Sequence, residues 1–331
     1  MTEFRFGTLG AANITPQALL APASRNDDVS VVAIAARDRS RAQAMADRAN
    51  VEHVVDDYQA VIDHPDVNVV YNPLPISHHR EWTLRALAAG KPVLCEKSFA
   101  LNEAEAVDMA EAADRAGLLL IEAFHYRYHP VFLRALEIYR GGQIGDLVRL
   151  SGFFHVGLGD REMPAGDIRM IYETGGGATM DMGCYPMSWV RHFTGEEPEV
   201  VSAEAVEGPP DVDLRLVTEL QFPGGATGST SGSMMKGDTF RAELIAEGTE
   251  GTLTVVNPLV PHVGHEIKLE AGGESSSETL DRRTTYDFQL DAFVHALRTG
   301  ETLPTDANDA VKQMRLIDAA YRASGMKVRG T

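Results

Sequence analysis

Over the first third of the chain, short apolar runs alternate with stretches whose apolar residues fall at helical spacing. Phe4–Leu9 is an apolar run closed by Gly10, and Ala18, Leu19 and Leu20 follow in a helical pattern. Residues 29–36 (VSVVAIAA) form a second apolar run, residues 57–62 read as helix, and residues 67–71 form another strand. Pro73 and Pro75 stop that strand and shape a loop. Trp82, Leu84, Leu87 and Ala88 then recur at helical spacing, with Ser77 as a cap and Gly90 as the stop. Val93–Cys95 ends a buried strand, residues 102–116 form an alanine-rich amphipathic helix closed by Gly117, and residues 118–121 are apolar again. Repeated strand–helix alternation predicts an α/β fold, a doubly wound parallel sheet with helices on both faces.

Beyond residue 123 the period changes. Residues 147–156 alternate like a strand. From residue 200 to 269, alternating segments such as 214–222, 240–246 and 252–256 are separated by glycine turns, including Pro223-Gly224-Gly225. These predict an antiparallel meander. Residues 272–278 read as a polar turn, and 288–297 and 307–321 as amphipathic helices that return to the domain junction. A chain of 331 residues suits two domains, 1–123 and 124–331.

Charge narrows the partners. Thirty basic against forty-eight acidic residues give a net charge of −18, which argues against unspecific nucleic-acid or anionic-membrane binding. An anionic cofactor then needs a local positive pocket. The two cysteines, Cys95 and Cys184, lack CxxC spacing, which suits a reducing cytoplasm. The N-terminus lacks a signal-peptide core, and no apolar run approaches a membrane span. His78 and His79 are adjacent rather than spaced as a pair on one helix face, so no metal site is expected.

Three places carry candidate chemistry. The turn after the first strand reads Gly10-x-Ala12-x-x-Thr15, with Asn13 and Ile14 inside it. It keeps one glycine of the dinucleotide fingerprint, and its small residues permit close approach of a pyrophosphate to a helix N-terminus. A plain structural turn explains it equally well. At the end of the second strand, where NAD-binding domains carry an acid for the ribose, stands Arg37, with Arg41 one helical turn on. Guanidinium groups bind phosphate by paired hydrogen bonds, so NADP(H) is favoured over NAD(H). The alternative is a set of solvated arginines opening a helix, and Arg39 is given no role. Third, Glu96 and Lys97 appear abruptly at the carboxyl end of a buried strand, where open α/β sheets place their chemistry.

Further on, Phe124 to His129 is an aromatic cluster. It reads as a lining over a nicotinamide and its substrate, or as a linker packed on the sheet. After Gly175-Gly176-Gly177, Asp181 and Tyr185 are four residues apart and share one face of a helix. A surface acid and a half-buried aromatic are the plain alternatives. Arg169 is either a contact to a substrate oxygen or a surface ion pair.

Taken together, Gly10-Ala11-Ala12-Asn13-Ile14, Ala35-Ala36-Arg37-Asp38, Pro73-Leu74-Pro75 with His79, Glu96-Lys97, the segment Glu122-Ala123-Phe124-His125-Tyr126-Arg127-Tyr128-His129-Pro130, and Gly175-Gly176-Gly177 with Asp181-Met182-Gly183-Cys184-Tyr185-Pro186 resemble the Gfo/Idh/MocA oxidoreductase family. Within it, the nearest resemblance is to the branch of dimeric dihydrodiol and NADP-dependent D-xylose dehydrogenases. The resemblance implies an NADP-binding Rossmann domain and a second α/β domain with a large, open-faced, mainly antiparallel sheet. That sheet implies a homodimer or a dimer of dimers. Lys97 matches the family's catalytic lysine, with Ser98 where proline is usual and the bond before it is commonly cis. Tyr185 and Asp181 complete the implied catalytic set. Implied cofactor contacts are Gly10, Ala12, Asn13, Ile14, Arg37, Arg41, Pro73, Leu74, His79, Glu96, Lys97 and Arg127. His125, which takes a position often filled by methionine in relatives, joins Tyr126 and Arg169 as candidate substrate contacts.

The activity implied is hydride transfer between NADP(H) and a sugar, polyol or diol, as in an aldose 1-dehydrogenase or a trans-dihydrodiol dehydrogenase. A keto-sugar or nucleotide-sugar reductase and a non-catalytic NADP-binding regulator are the alternatives. Tyr185 is the first choice for the proton, with Lys97 on the same oxygen, and the residues leave the reverse assignment open.

Overall fold

The protein is described here by a computed structural model, over residues 3–156, 164 and 166–331. The chain divides into two compact units, Met1–Phe124 with Tyr286–Val311, and His125–Thr285 with Lys312–Thr331.

The first unit is built on six parallel strands: β1 (Phe4–Leu9), β2 (Val29–Ala35), β3 (His53–Val54), β4 (Val69–Asn72), β5 (Val93–Cys95) and β6 (Leu120–Glu122). Their order is β3-β2-β1-β4-β5-β6, the doubly wound arrangement. Helices cover both faces, so strand residues such as Phe6, Leu9, Ile34, Val70 and Ile121 are buried and the runs are continuously apolar. The two-residue β3 has no such run, and its pairing with β2 defines it. Short polar side chains punctuate the helices. Asn102 Oδ1 accepts the Glu105 N–H (3.1 Å), and Gly117, at φ 64°, ends that helix. The carboxyl ends of β1, β2, β4 and β5 thus deliver the Gly10 turn, Arg37, the Pro73 loop and Lys97 to one rim of the sheet. Helix Thr285–Thr299 contributes Phe293, whose ring lies 6.2 Å from that of Phe6.

The second unit holds β7 (Leu147–His155), β8 (Glu199–Glu207), β9 (Asp213–Gln221), β10 (Thr227–Ser233), β11 (Arg241–Gly248), β12 (Gly251–Val256), β13 (Glu266–Ala271) and β14 (Glu274–Glu278). Their order is β14-β13-β12-β11-β7-β10-β9-β8, mainly antiparallel. Two expectations need correction. The sheet is not a plain meander, because β7 inserts between β11 and β10 and runs parallel to β10. β10 reads TGSTSGS, with no apolar side chain to mark it, although six of its seven residues are buried. Residues 272–278 are also not one turn. Gly272 and Gly273 (φ 60° and 82°) make a two-residue hairpin connection, and Glu274–Glu278 pairs with β13 as an edge strand. The irregular stretch 160–172 lies partly outside the described residues. Its described part contains the short turns Ile168–Met170 and Tyr172–Thr174.

Small residues in β10 let one helix approach the sheet closely. A π-helical turn, Thr179–Gly183, leads into helix Cys184–Thr194. A Cβ placed on Gly232 would lie 2.4 Å from Gly183 N, and one on Gly152 would lie 2.9 Å from Pro186 Cβ. Gly232→Ala is therefore expected to destabilise the protein by about 1–3 kcal/mol, as overpacking does. A strand glycine is ordinarily improved by alanine. A urea denaturation showing equal or greater stability would contradict the close contact.

Candidate active site

On the first unit, the residues around Lys97 are fixed from several sides. The Tyr71 hydroxyl donates to Glu96 Oε1 (2.8 Å), while Glu96 N donates to the Asn72 carbonyl (3.0 Å). Burial and the adjacent Glu96 carboxylate push the Tyr71 phenol well above its ordinary range, so it stays a donor. Tyr286 is pushed up by the same two causes. After the half-buried Lys97, the peptide bond to Ser98 is cis, and Phe99 N donates to Glu122 Oε1 (3.0 Å). His79 ties this loop to the proline loop. Its Nε2 lies 2.7 Å from the Leu74 carbonyl, and its Nδ1 lies 3.0 and 3.2 Å from those of Ser98 and Phe99. Burial outweighs these carbonyls and lowers the imidazole to about 4, so the ring is neutral. His79 thus shapes the backbone on either side of Pro73, Leu74 and Lys97.

The glycine turn is similarly constrained. Gly10 has φ 98°, open to glycine at little cost, and a Cβ there would meet Leu74 Cδ2 at 3.1 Å. Arg41 Nη2 donates to the Ala11 carbonyl (2.9 Å) and to Asn13 Oδ1 (3.3 Å), bracing the turn that holds Ala12 and Ile14. Thr15 is buried, and its hydroxyl has no hydrogen-bond partner among the described residues. Arg37 is exposed at the end of β2. Asp38 beside it is committed to capping helix Arg39–Ala49, accepting from Ser40 N and Oγ, which lowers its carboxyl. Arg39 turns away to Asp56 and the Val54 carbonyl.

On the second unit, Tyr185 is the centre of a buried aromatic group. Phe154 meets it edge-on (centroids 5.7 Å apart), and Tyr126 and Trp189 flank it. His125 Nε2 lies 3.2 Å from the Tyr185 hydroxyl. Tyr126 is fully buried, with its hydroxyl within 2.8 Å of Ser188 Oγ and 2.9 Å of His192 Nδ1. Its ring lies edge-on to that of Tyr185, with centroids 6.5 Å apart. One turn earlier, Asp181 pairs with Arg169 Nε at 3.0 Å, both partly exposed. The Arg127 guanidinium sits 5.6 Å from the Phe132 ring centre.

The start of the Tyr185 helix hangs on a buried ion pair. Arg329 Nη2 donates to Asp213 Oδ1 (2.7 Å), and neither side chain is exposed. Asp213 Oδ2 accepts from Thr179 N and Oγ1, both at 2.7 Å, and Oδ1 accepts from Tyr321 (2.9 Å). Arg329 Nε donates to the Gly176 carbonyl (2.6 Å). No local motif announces Arg329 or Asp213, which lie 116 residues apart in sequence. Thr285 and Tyr71 lack a sequence signal for the same reason.

Elsewhere, His53, His64 and Asp66 bring three possible metal-ligand atoms within 4.8 Å of one another, outside the rim that carries Lys97.

Comparison with known proteins covers both units. Residues 4–124 match the family model "Oxidoreductase family, NAD-binding Rossmann fold", and residues 132–254 match "GFO/IDH/MocA C-terminal domain". The chain is 33% identical over 324 residues to D-xylose 1-dehydrogenase (NADP(+)) 2 of Haloferax volcanii, covering 96% of this chain and 97% of that protein. It is 32% identical over 322 residues to dTDP-3,4-didehydro-2,6-dideoxy-alpha-D-glucose 3-reductase of Streptomyces antibioticus, covering 96% and 95%. Among solved structures, the 3-ketoreductase KijD10 from Actinomadura kijaniata, in complex with NADP and TDP-benzene, superposes with a TM-score of 0.88 at 28% identity, over 97% of this chain and 98% of that one.

Proposed function

This chain belongs to the Gfo/Idh/MocA oxidoreductase family, and we propose that it transfers hydride between NADP(H) and a sugar or related polyol or diol, most simply as an aldose 1-dehydrogenase. The observation that carries the reading is the half-buried Lys97, held at the carboxyl rim of a dinucleotide-type sheet on a loop fixed by Glu96 and His79. The residues fit the cofactor. Gly10 leaves its turn open to a pyrophosphate, the buried Thr15 hydroxyl awaits a partner, and Arg37 offers a guanidinium where the ribose phosphate of NADP(H) would lie.

When bound, the nicotinamide takes or gives the hydride. The remaining chemistry belongs to the protein. Tyr185 exchanges the hydroxyl proton of the reacting carbon, and Lys97 hydrogen-bonds the same oxygen. The ammonium charge stabilises negative charge on the reacting oxygen as the proton moves. Asp181, oriented by Arg169, receives neighbouring substrate hydroxyls.

A second reading, reduction of a nucleotide-linked keto-sugar, is favoured by the similarity to the Streptomyces 3-reductase and to KijD10. Both readings are tested by following the reduced-nicotinamide absorbance with aldoses, trans-diols and keto-sugars, using NADP(H) and NAD(H) in parallel. The first expects turnover of an aldose, with kcat/KM roughly 10- to 100-fold higher for NADP, the worth of charge-assisted phosphate bonds. Turnover of keto-sugars alone selects the second. Tight cofactor binding without turnover of any substrate overturns both and leaves a regulator.

The proposal extends to the assembly and the compartment. One face of the eight-stranded sheet is buried, while the other presents the partly exposed Phe153, Val217 and Ile245. This supports a homodimer through that face. Two buried free cysteines support a reducing cytoplasm. Among the described residues, no helix is long and apolar enough to cross a membrane.

A further inference from the structure

We propose that His125 is a positioning residue that receives the Tyr185 proton, with Thr285 holding its ring in the tautomer that accepts it. The inference rests on the function proposed above. Its geometry lies wholly within the second unit. His125 Nε2 is 3.2 Å from Tyr185 Oη, and His125 Nδ1 is 2.6 Å from Thr285 Oγ1. All three side chains are at least nine-tenths buried: His125 is 2% exposed, Tyr185 5% and Thr285 0%. The Thr285 hydroxyl also faces the Leu259 carbonyl at 3.5 Å, an oxygen that can only accept.

That order of acceptors assigns the protons. Thr285 directs its hydrogen toward Leu259 and accepts from His125 Nδ1–H, which leaves the Nε2 lone pair facing Tyr185. The Tyr185 hydroxyl then donates to Nε2. When an alcohol is oxidised, its carbon loses a hydride to NADP+ and its O–H bond breaks toward the Tyr185 oxygen. The phenolic O–H bond breaks in turn, and an N–H bond forms at His125 Nε2. Nδ1–H stays bonded to Thr285 throughout. The carbonyl product leaves, the Tyr185 hydroxyl gives its proton to water in the vacated site, and the imidazolium returns the Nε2 proton to the Tyr185 oxygen. Reduction runs the same transfers backwards.

Among the described residues, the following groups face this path. Tyr185 meets His125 from helix Cys184–Thr194, and Thr285 meets it from the start of the following helix. Tyr126 flanks Tyr185, and the Asp181–Arg169 pair lies one turn before it. His125 is the member of this set whose ordinary titration falls between about pH 5 and 8.

The test compares wild type with His125→Gln, which keeps a side-chain amide near Tyr185 but cannot titrate, and with the near-isosteric Thr285→Val. His125→Gln is expected to lower kcat about 10²-fold with KM nearly unchanged. It should also remove the acid limb of the kcat profile, where a protonated His125 can no longer accept, while NADPH affinity persists. In ¹⁵N-histidine spectra of wild type, the signal lost in His125→Gln should show the Nδ1–H tautomer. Thr285→Val should shift that signal toward Nε2–H. A wild-type pH profile retained in His125→Gln, or an Nε2–H tautomer in wild type, overturns this role of His125 and leaves the oxidoreductase reading intact. A wild type that turns over no sugar overturns both.

Discussion

Lys97→Ala is expected to lower kcat/KM by about 10²–10⁴-fold, the range for losing a positioned proton-transfer or oxyanion partner. NADPH affinity, read by fluorescence titration, should change only a few-fold. The reason lies in how the contacts divide. The proposed pyrophosphate and ribose-phosphate contacts lie at the Gly10 turn and Arg37, which reach the rim from β1 and β2, whereas Lys97 arrives from β5. On the proposed mechanism, removing the amine strips the reacting oxygen of a hydrogen bond, while the dinucleotide keeps its hold. Lys97→Arg should rescue little, because a planar guanidinium on a loop braced by Glu96 and His79 cannot take the place of a compact ammonium. Near-normal turnover in Lys97→Ala would remove Lys97 from the chemistry.

Arg329→Met should cost about 3–5 kcal/mol of stability, the largest structural effect expected of one substitution. The Asp213 carboxylate would remain buried after losing its charged partner, though Thr179 and Tyr321 still donate to it. Burial and the Asp213 charge push the Tyr321 phenol well above its ordinary range, so it stays a neutral donor to the carboxylate and brings no charge of its own. Asp213→Asn in the Arg329→Met background should restore part of the loss by removing the unpaired charge. The damage should also reach the site. Arg329 holds the Gly176 carbonyl and Asp213 holds the first turn of the helix that carries Tyr185. Urea denaturation reads the effect, and a loss below about 1 kcal/mol would mean that water or rearrangement relieves the buried charge.

Much of the first unit is legible in the amino-acid sequence alone. Residues 29–36 and 67–71 are apolar enough to predict buried strands, and Asn102 and Gly117 bracket a helix by rules that act within a few residues. The abrupt appearance of Glu96 and Lys97 after Val93–Cys95 marks the rim of the sheet. What escapes a sequence reading depends on pairing at a distance. β10 is central and buried without an apolar side chain, because its glycines admit a helix backbone and its small polar residues bond across strands, as Thr218 and Thr230 do at 2.6 Å. β14 is a strand because β13 offers it a ladder. The Tyr126 hydroxyl meets Ser188 and His192 from a helix 62 and 66 residues away, partners that no local pattern marks. The His125–Thr285 contact spans 160 residues, beyond the reach of any local pattern.

The most direct test is a crystal structure of the ternary complex with NADP+ and a substrate identified in the turnover panel. The expected result is one substrate oxygen within hydrogen-bond reach, about 2.6–3.2 Å, of both Lys97 Nζ and Tyr185 Oη. A substrate oxygen held by neither group would contradict the shared catalytic role of these two residues.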